Sequence, residues 1–588
     1  MEKWVVSAKR ADFKAIADTF QIDQVTARII RNRDVTGEEQ IRRYLHPTVG
    51  DLYPAALLTG ASDAGLLLKR KILEKKKIRI IGDYDIDGVM ATYILFRGLK
   101  RCGADADYEI PDRMKDGFGL NRSLIELAFT EGADTVITCD NGIAAIEEIA
   151  YAKQLGLTVI VTDHHEPVYE ETGGEKQYRY PPADVVVDPA VPENTYPFRK
   201  ICGAVVAWKV IHELFAAFQI SEGEWLRFLP FAAFATVGDV MDLQDENRAI
   251  VRLGLPPLEL TDNIGMRALI RACSLEGRRL TAYHIGFVLG PCINAGGRLD
   301  TAKRSLRLLL CEEEDQAQVL AVRLRELNDL RKQMTDFCIS EACERIEQGE
   351  FAGDDVYVIY LKQCHESIAG IIAGKVRERY YHPVIILTDS QTPGLLKGSG
   401  RSTETWNMYE GLVRCNDLME KYGGHPMAAG ITLRKEKLDA FRKALNENSG
   451  LKEEDFVRKI VIDVPMPLSY LREDLIEELE LLEPFGKGNE KPVFAEKNLR
   501  FRRASVIGAN QNTVKLQAVL ENGGVVDALY FGDAEGMLSY IREKYGEQET
   551  TALLQGRENY VSLSVTYYPS INEYRGMRTV QILISGYR

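Results

Sequence analysis

Residues 80–88, Ile80-Ile-Gly-Asp83-Tyr-Asp85-Ile-Asp87-Gly88 (IIGDYDIDG), are the most informative part of this sequence for both fold and chemistry. It begins in an apolar run, residues 78–81, that is typical of a buried strand, and it leads into a helical pattern that starts near residue 89. Carboxylates at alternate positions lie on one side of the backbone if the chain stays extended. They repel one another unless a cation neutralises them, so the stretch predicts a metal site.

Two further strand-like runs in the same region end in the same way. Residues 135–139 (TVITC) lead into Asp140-Asn141-Gly142, and residues 158–162 (TVIVT) lead into Asp163-His164-His165. Helical segments alternate with these runs, which indicates βαβ units and a parallel sheet. Since ligands of such sheets bind outside the carboxyl ends of the strands, we expect these acids and imidazoles to share one crevice.

An aspartate after a strand is often a helix N-cap, and this alternative applies to each motif taken singly. Asp188, after the strand-like residues 184–187, is interpreted as such a cap. The joint occurrence of three motifs after three strands favours a site, to which Asp239 is a further possible contributor. Oxygen-rich ligands with one or two imidazoles and no thiolate suit Mn²⁺ or Mg²⁺, and the number of ligands fits two ions.

The overall composition is that of a soluble globular protein. The chain has 588 residues, 45% of them hydrophobic and 27% charged, which suggests about three or four domains. A formal charge of −13 argues against a generic polybasic nucleic-acid coat, although not against a local basic groove. The ten cysteines include no CxxC pair and predict free thiols in a reducing compartment. We expect neither a secretory signal nor a membrane span.

Other parts of the chain change the pattern. Residues 11–20 and 38–45 predict short amphipathic helices, and the polar segment 166–183 predicts a loop between two strands. Residues 302–350 are rich in strong helix formers and predict one long connector helix or two consecutive ones. The C-terminal part alternates apolar and polar residues, which predicts an antiparallel barrel or sandwich with one helix near 534–545.

Taken together, the three motifs resemble the signatures of the DHH phosphoesterase superfamily. Within it, the chain from about residue 50 onward is similar to the bacterial single-strand-specific 5′→3′ DNA exonucleases. In this sequence, Ile86 fills a position where the family pattern usually has a small residue. The closer similarity lies in Pro111-Asp112-Arg113, Gly117-Phe118-Gly119, Asn294-Ala-Gly-Gly297-Arg298-Leu, Gly398-Ser-Gly-Arg401-Ser402, Gly423-Gly424-His425-Pro-Met-Ala-Ala-Gly430 and Glu483-Pro484-Phe485-Gly486-Lys-Gly-Asn489.

The resemblance implies an α/β multidomain fold with a C-terminal oligonucleotide-binding (OB) barrel. The implied parts are an N-terminal helical segment (1–50), a parallel-sheet DHH phosphoesterase domain (51–300), a connector helix (301–350), a second α/β, DHH-associated domain (351–455) and an OB-like nucleic-acid-binding domain (456–588).

It also implies the ligands of two Mn²⁺ or Mg²⁺ ions. Whether Asp83 and Asp163 bind directly or orient other ligands stays open, and Asp242 is an alternative to Asp239. The implied metal ligands are Asp83, Asp85, Asp87, Asp140, Asp163, His164, His165 and Asp239. The implied catalytic residues are Asp83, Asp85, Asp87, Asp140, His164, His165 and His425.

Substrate contacts are implied in three places. A tight helix-packing turn competes with the substrate role of the glycine-rich 423–430 segment, and a solvated strand face competes with that of each OB residue. Candidates for the 5′-phosphate are Arg113, Arg298, Ser399 and Arg401. Candidates for other nucleic-acid contacts are Gly423, Gly424 and His425, together with Arg500, Arg502, Arg503, Tyr574, Arg575 and Arg578.

The implied activity is hydrolysis of single-stranded DNA from the 5′ end to nucleoside 5′-monophosphates, in DNA repair and recombination. An alternative is a phosphoesterase for short oligonucleotides or cyclic dinucleotides, and a second alternative is a non-catalytic nucleic-acid-binding member. The implied partners are single-stranded DNA and, beyond it, a helicase and a single-strand-binding protein. The implied location is the bacterial cytoplasm, with no membrane attachment.

Overall fold

The computed structural model describes residues 2–112, 119–172, 175–508 and 511–588. These residues divide into two units. Unit 1 comprises Leu52–Met241 and Leu253–Arg458, and unit 2 comprises Glu2–Asp51, Asp242–Arg252 and Lys459–Arg588. No helix in the described ranges has the length and apolar character needed to cross a bilayer.

Among the described residues, the α-helices are α1 (Phe13–Phe20), α2 (Gln24–Asn32), α3 (Glu38–Leu45), α4 (Ala61–Leu73), α5 (Ile86–Arg101), α6 (Arg122–Thr130), α7 (Ile146–Gln154), α8 (Gly203–Phe218), α9 (Glu222–Leu226), α10 (Leu229–Gly238), α11 (Asp245–Glu259), α12 (Ile264–Ala272), α13 (Ala282–His284), α14 (Gly290–Leu299), α15 (Lys303–Leu310), α16 (Glu314–Glu347), α17 (Ala369–Tyr380), α18 (Met408–Val413), α19 (Leu438–Glu447), α20 (Glu473–Glu478) and α21 (Ala534–Gln555).

The strands of the same residues are β1 (Glu2–Val6), β2 (Ile78–Ile81), β3 (Ala106–Glu109), β4 (Thr135–Cys139), β5 (Thr158–Thr162), β6 (Val168–Thr172), β7 (Glu175–Arg179), β8 (Val185–Val187), β9 (Tyr357–Tyr360), β10 (Val384–Asp389), β11 (Leu395–Arg401), β12 (Lys421–His425), β13 (Ala428–Arg434), β14 (Arg458–Ile462), β15 (Val464–Pro465), β16 (Phe494–Ile507), β17 (Thr513–Val519), β18 (Val525–Phe531), β19 (Ser562–Tyr574) and β20 (Met577–Tyr587).

The first sheet of unit 1 is parallel throughout and has the strand order β3-β2-β4-β5-β8. Strands β2 and β4 are wholly buried because helices cover both faces, which explains their unbroken β-branched sequences. Helices α6 and α7 pack on one face, while α5 and α8 contact strands of the sheet and pack against each other. The carboxyl ends of β2, β4 and β5 therefore lie side by side and bring the three motifs together.

The second sheet of unit 1 has the order β12-β13-β11-β10-β9, in which only the β9–β10 pair is parallel. One face packs on α16 and α17, and the other face packs on α18 and α19. The predicted connector region contains two consecutive helices, α15 and the 34-residue α16. This sheet is the second α/β domain that the sequence predicts.

Unit 2 contains a barrel formed by β16, β17, β18, β20 and β19, which the β16–β19 pairing closes. Its core also takes side chains from α2 and α3, so the N-terminal helices belong to the same hydrophobic cluster as the barrel. The predicted fold class is thus confirmed. The barrel is not entirely antiparallel, however, because β18 and β20 run parallel.

The structure corrects one local prediction, rejects one alternative and extends one predicted helix. The segment 166–183 is not only a loop, because β6 and β7 form an antiparallel hairpin in which the rings of Tyr169 and Tyr178 lie 5.7 Å apart. The glycine-rich segment 423–430 is no helix-packing turn, since it forms the β12–β13 hairpin. Helix α21 extends past residue 545 to Gln555, with a non-helical Gly546 inside it.

Candidate active site

The first motif presents its three carboxylates from a strand-to-helix junction. The chain does not stay extended after β2, because Asp85 is the N-cap of α5. Its Oδ1 accepts the backbone N–H groups of Asp87 at 2.9 Å and Gly88 at 3.1 Å. The alternative role as a helix N-cap is therefore correct for one oxygen of Asp85. The carboxylate nevertheless takes part in the cluster described next.

Seven of the predicted ligands converge in overlapping groups. In each group, one potential ligand atom per residue lies within 4.8 Å of the others. The groups found among the described residues are Asp83–Asp85–Asp140, Asp87–His164–Asp239 and Asp140–His164–His165. The sheet edge thus collects side chains from the ends of β2, β4 and β5 and from the end of α10.

His164 lies at the centre of this cluster. Its Nε2 lies 3.1 Å from Asp140 Oδ1, 3.6 Å from Asp87 Oδ2 and 3.9 Å from Asp239 Oδ2. Burial lowers the pKa of His164, so the neutral imidazole, which is the form that binds metals, is favoured.

Asp87 is fixed by the N-terminus of α8. Its two oxygens accept the N–H groups of Gly203 at 2.7 Å and Ala204 at 2.8 Å. Gly203 is a functional residue that the sequence analysis missed. A Cβ atom at this position would lie 2.7 Å from the Cβ of Asp140, so only glycine permits this approach. In the sequence, the feature that could have indicated this role is Gly203, a glycine at the start of an apolar helix.

Asp140 adopts a left-handed conformation, with a φ of 60°. Its neighbour Asn141 donates from Nδ2 to the carbonyls of Cys139 at 2.9 Å and Ile81 at 3.2 Å. These bonds join the ends of β4 and β2. The strained backbone turns the Asp140 carboxylate into the cluster, a conformation that aspartate and asparagine tolerate better than most residues.

Asp163 behaves differently from the other acids. Its Oδ2 accepts the N–H of Ile143 at 2.9 Å, and its Oδ1 accepts the N–H of His164 and bonds His165 Nδ1, both at 2.7 Å. Burial is the largest single influence and opposes its ionised form, but the bond to His165, the charges of both imidazoles and the Ile143 N–H together lower the pKa of Asp163. Burial also opposes the charged form of His165, but the same bond, together with the charges of Asp163, Asp239 and Asp87, raises the pKa of that imidazole to about 9. Asp163 therefore orients His165, as carboxylates commonly orient metal-binding histidines.

Asp83 and Asp140 lie in surroundings that oppose their ionised forms unless a cation binds. Burial, and then the charge of Asp85, raise the pKa of Asp83 to about 8. Burial and the charges of Asp87, Asp85 and Asp83 raise the pKa of Asp140 well above its usual range. Within the described residues, the buried Oδ1 atoms of Asp83 and Asp140 accept no hydrogen bond, although His164 Nε2 lies 3.1 Å from Asp140 Oδ1. Unpartnered, mutually repelling carboxylate oxygens fit divalent cations well.

Asp239, and not the alternative Asp242, lies among the candidate metal ligands. Helix α10 ends at Gly238, and Val240 has a φ of 56°, so the chain turns directly after Asp239. Asp239 joins the His164 group, whereas the Asp242 carboxylate lies 3.2 Å from Lys487 Nζ. Of these two acids, Asp239 is therefore the one that lies with the candidate ligands. Asp188 accepts the N–H of Ala190 at 2.7 Å, as expected of a cap or turn residue.

Three of the predicted phosphate residues lie around the start of α17. Arg298 Nη1 donates to the carbonyl of Ser367 at 2.6 Å, just before that helix. Arg401 Nη1 donates to Ser399 Oγ at 2.8 Å. A Cβ on Gly370 would lie 2.7 Å from Arg401 Nη2 and 3.0 Å from Ser399 Oγ, so a missing side chain makes room for them. Helix N-termini attract anions.

Arg401 has the electrostatics of an anion site. Burial, and then the nearby Arg377, lower the pKa of Arg401. Over the described part of the chain, no carboxylate forms an ion pair with Arg401. An arginine that is desolvated beside another arginine is stabilised by a phosphate.

The other nucleic-acid candidates lie on exposed surfaces. Gly423, Gly424 and His425 are the last three residues of β12, at the edge of its sheet, and His425 is exposed. In unit 2, Arg500, Arg502 and Arg503 are exposed on β16, with a bulge between Phe501 and Arg503. The guanidinium of Arg575 lies 5.2 Å from the ring centroid of Tyr574 at the β19–β20 turn, and Arg578 pairs with Glu473 and Glu477. Arg113 lies outside the described residues.

The raised pKa values predict a pH-dependent metal affinity. Below about pH 8, Asp83 holds a proton in the metal-free protein and His165 is protonated, so Mn²⁺ must displace protons to bind. We expect the affinity for Mn²⁺ to rise with pH and binding near neutral pH to release protons. Calorimetric titration in two buffers of different ionisation enthalpy measures this release. Asp83→Asn should release fewer protons, and heats that do not depend on the buffer contradict the prediction.

Known proteins resemble this chain in sequence and in fold. Residues 77–230 match the profile of the DHH family, N-terminal domain, residues 353–449 that of the DHHA1 domain and residues 462–586 that of the RecJ OB domain. The chain is 32% identical over 586 residues to the single-stranded-DNA-specific exonuclease RecJ of Bacillus subtilis, a match that covers 99% of this chain and 70% of that protein.

Two further relatives show the same similarity, one in sequence and one in structure. The protein of the same name from Salmonella typhimurium is 30% identical over 577 residues, which cover 95% of this chain and 94% of that protein. The crystal structure of RecJ in complex with Mn²⁺ from Thermus thermophilus matches with a TM-score of 0.81 and 26% identity, covering 100% of this chain and 79% of that chain. From its domains and these full-length similarities, the chain belongs to the RecJ family of single-stranded-DNA-specific exonucleases.

Proposed function

We propose that this protein is a metal-dependent 5′→3′ exonuclease that hydrolyses single-stranded DNA to nucleoside 5′-monophosphates. The observation that carries the proposal is the convergence of five acids and two imidazoles into three overlapping ligand groups at the carboxyl edge of one parallel sheet. The relatives named single-stranded-DNA-specific exonuclease support the substrate, and the Mn²⁺ complex of the Thermus thermophilus relative supports the metal.

The ligand groups fit two Mn²⁺ or Mg²⁺ ions. Asp140 and His164 each belong to two of the groups; the Asp140 carboxylate has two oxygens that could serve two ions, whereas His164 Nε2 could bind only one. Two such ions, when bound, supply an activated water and stabilise the departing oxygen of a phosphodiester. The proposed ligands are Asp83, Asp85, Asp87, Asp140, His164, His165 and Asp239, and Asp163 holds His165 in place rather than binding an ion.

The polarity of the enzyme follows from a clamp for the terminal phosphate. Arg298, Ser399 and Arg401 surround the start of α17, where guanidinium groups, a hydroxyl and backbone N–H groups suit phosphate oxygens. A strand held by its 5′-phosphate places its first linkages at a fixed distance from the clamp. We propose that His425 and the backbone of Gly423 and Gly424 contact the linkage to be cut.

We propose that the C-terminal barrel also binds single-stranded DNA. Exposed arginines on β16 and the exposed Tyr574 ring offer charge to phosphates and a surface on which a base can stack. The division 1–50, 51–300, 301–350, 351–455 and 456–588 is part of this proposal. So are the roles in repair and recombination, the helicase and single-strand-binding partners and the location in the bacterial cytoplasm.

The polarity can be tested with one substrate. A single strand with a 5′-phosphate, labelled on its first nucleotide with one dye and on its last with another, is incubated with the protein and Mn²⁺. We expect the first-nucleotide label to appear as a mononucleotide before the last-nucleotide label leaves the long strand. Early release of the 3′ label contradicts the proposed polarity. Cleavage restricted to strands of a few nucleotides would support the alternative, an oligonucleotide phosphoesterase.

A further inference from the structure

Ile86 makes contacts that the catalytic proposal does not use. It is the first residue of α5, stands between Asp85 and Asp87 and is 2% exposed. Its backbone N–H donates to Asn294 Oδ1, on α14, at 2.8 Å. Gly297, on the same helix, comes so close to the loop that a Cβ would lie 2.4 Å from the carbonyl oxygen of Tyr84. Helix α14 thus contacts the backbone of the first motif at Tyr84 and Ile86.

The side chain of Ile86 fills the space that two glycines leave open. A Cβ on Gly238 would lie 2.3 Å from Ile86 Cδ1 and 2.9 Å from both Cγ atoms, and these are its three nearest neighbours. A Cβ on Gly290, the first residue of α14, would lie 3.0 Å from Ile86 Cδ1. Because isoleucine is β-branched and this one is buried, its side chain has little freedom to swing away.

These contacts join separate parts of the proposed metal site. Gly238 directly precedes Asp239, and Ile86 directly precedes Asp87. The two carboxylates lie 3.6 Å and 3.9 Å from the same nitrogen, His164 Nε2. Metal–ligand distances tolerate shifts of only about 0.2 Å, so the packing between residues 86 and 238 controls whether both acids reach one ion.

We propose that Ile86 is a positioning residue that sets the spacing of Asp87 and Asp239, with Asn294 fixing its backbone. This inference rests on the metal site of the proposed function. Its distinctive consequence is a reciprocal size dependence. A larger residue at position 238 or a smaller one at position 86 disturbs the site, whereas both changes together restore the fit.

The test is a double-mutant cycle that measures Mn²⁺ binding by the loss of the free-ion electron paramagnetic resonance signal. Since changes next to metal ligands commonly cost about 10–100-fold in metal affinity, we expect Gly238→Ala and Ile86→Ala each to weaken Mn²⁺ binding by about tenfold or more. The double variant should bind within about fivefold of the wild type, because its new methyl group occupies part of the space left by isoleucine. Ile86→Val is the milder variant if Ile86→Ala folds poorly.

Two glycines provide matched controls. A Cβ on Gly290 would also lie 2.6 Å from the carbonyl oxygen of Ile285, so Ile86→Ala should not rescue Gly290→Ala. Gly374, inside α17, has nothing within 4 Å of its Cβ position, and Gly374→Ala should bind Mn²⁺ like the wild type.

Thermal melts of the metal-free variants complete the test. If Gly238→Ala lowers the melting temperature but leaves Mn²⁺ affinity unchanged, Ile86 only packs, and the proposal is overturned. A double variant that binds no better than the single ones also overturns it. Because the readout is Mn²⁺ binding, the proposal is tested even if the protein degrades no single-stranded DNA, so the failure of one proposal is distinguishable from the failure of the other.

Discussion

Asp140→Asn should abolish nuclease activity and at the same time stabilise the metal-free protein. The carboxylate belongs to two ligand groups, and losing several kcal/mol of transition-state stabilisation lowers the rate by about a thousandfold or more. Without metal, however, burial and the charges of Asp87, Asp85 and Asp83 oppose its ionised form. Asparagine keeps the shape and removes that cost.

The pH dependence of this stabilisation has a defined sign. The pKa of Asp140 is raised in the folded state, so the unfolded chain ionises first, and the folded state loses stability as the pH rises above about 4. The melting temperature of metal-free Asp140→Asn should therefore exceed that of the wild type at about pH 8, and the difference should vanish near pH 4. Adding Mn²⁺ should reverse the order at pH 8, because only the wild type gains binding energy.

Asp188→Asn is the matched control for Asp140→Asn. Asp188 is also buried after a strand of the same sheet, and burial and the charge of Asp163 raise its pKa to about 8. It lies in none of the ligand groups found among the described residues. We expect the control to gain stability without metal and to keep its nuclease activity. Equal degradation of a labelled single strand by Asp140→Asn and the wild type would refute the assignment of Asp140.

Arg401→Gln should weaken the use of 5′-phosphorylated substrates by about 10–100-fold in kcat/KM, since each hydrogen bond to a charged group contributes about 1.5–3 kcal/mol. The loss should be largest for strands of a few nucleotides, because longer strands keep other contacts. The melting temperature should fall little, as the substitution breaks no ion pair among the described residues.

The comparison that decides this prediction uses two substrates. The wild type should prefer a 5′-phosphorylated strand to the same strand with a 5′-hydroxyl, and Arg401→Gln should lose that preference. Arg434→Gln serves as control, because Arg434 is exposed on the same sheet and bonds Glu420 Oε1 at 2.8 Å. If Arg401→Gln loses activity equally on both substrates, the residue does not recognise the phosphate.

The sequence predicted the sheet and the convergence of its motifs because both depend on local patterns. Buried parallel strands need continuous β-branched runs, and their carboxyl ends necessarily meet at one edge. These local patterns do not predict how the carboxylates of Asp85 and Asp87 are oriented in the site. Their orientation depends on the N-termini of α5 and α8, and α8 begins more than a hundred residues after Asp87, as the separation of 116 between Gly203 and Asp87 shows.

The errors have related physical causes. Strands β6 and β7 are rich in charged residues and lack an apolar run, and cross-strand pairs such as Tyr169 and Tyr178 stabilise their pairing. At positions 203, 238 and 290 a Cβ atom would lie 3.0 Å or less from atoms of residues that are distant in the sequence. The need for glycine there depends on the tertiary structure. A glycine in a sequence does not disclose which atom approaches it.

The shared core of the N-terminal helices and the C-terminal barrel has a consequence for biosynthesis. The N–H of Asp23 donates to the carboxylate of Glu478, 455 residues later, and Ile29 and Ile30 lie in the same cluster as Leu475 and Leu479. At roughly 5–20 residues per second, a ribosome needs about 20–90 seconds to bridge that interval. During that time the apolar faces of α1–α3 cannot pack on the barrel, so we expect a chaperone to protect these helices until the barrel has been translated.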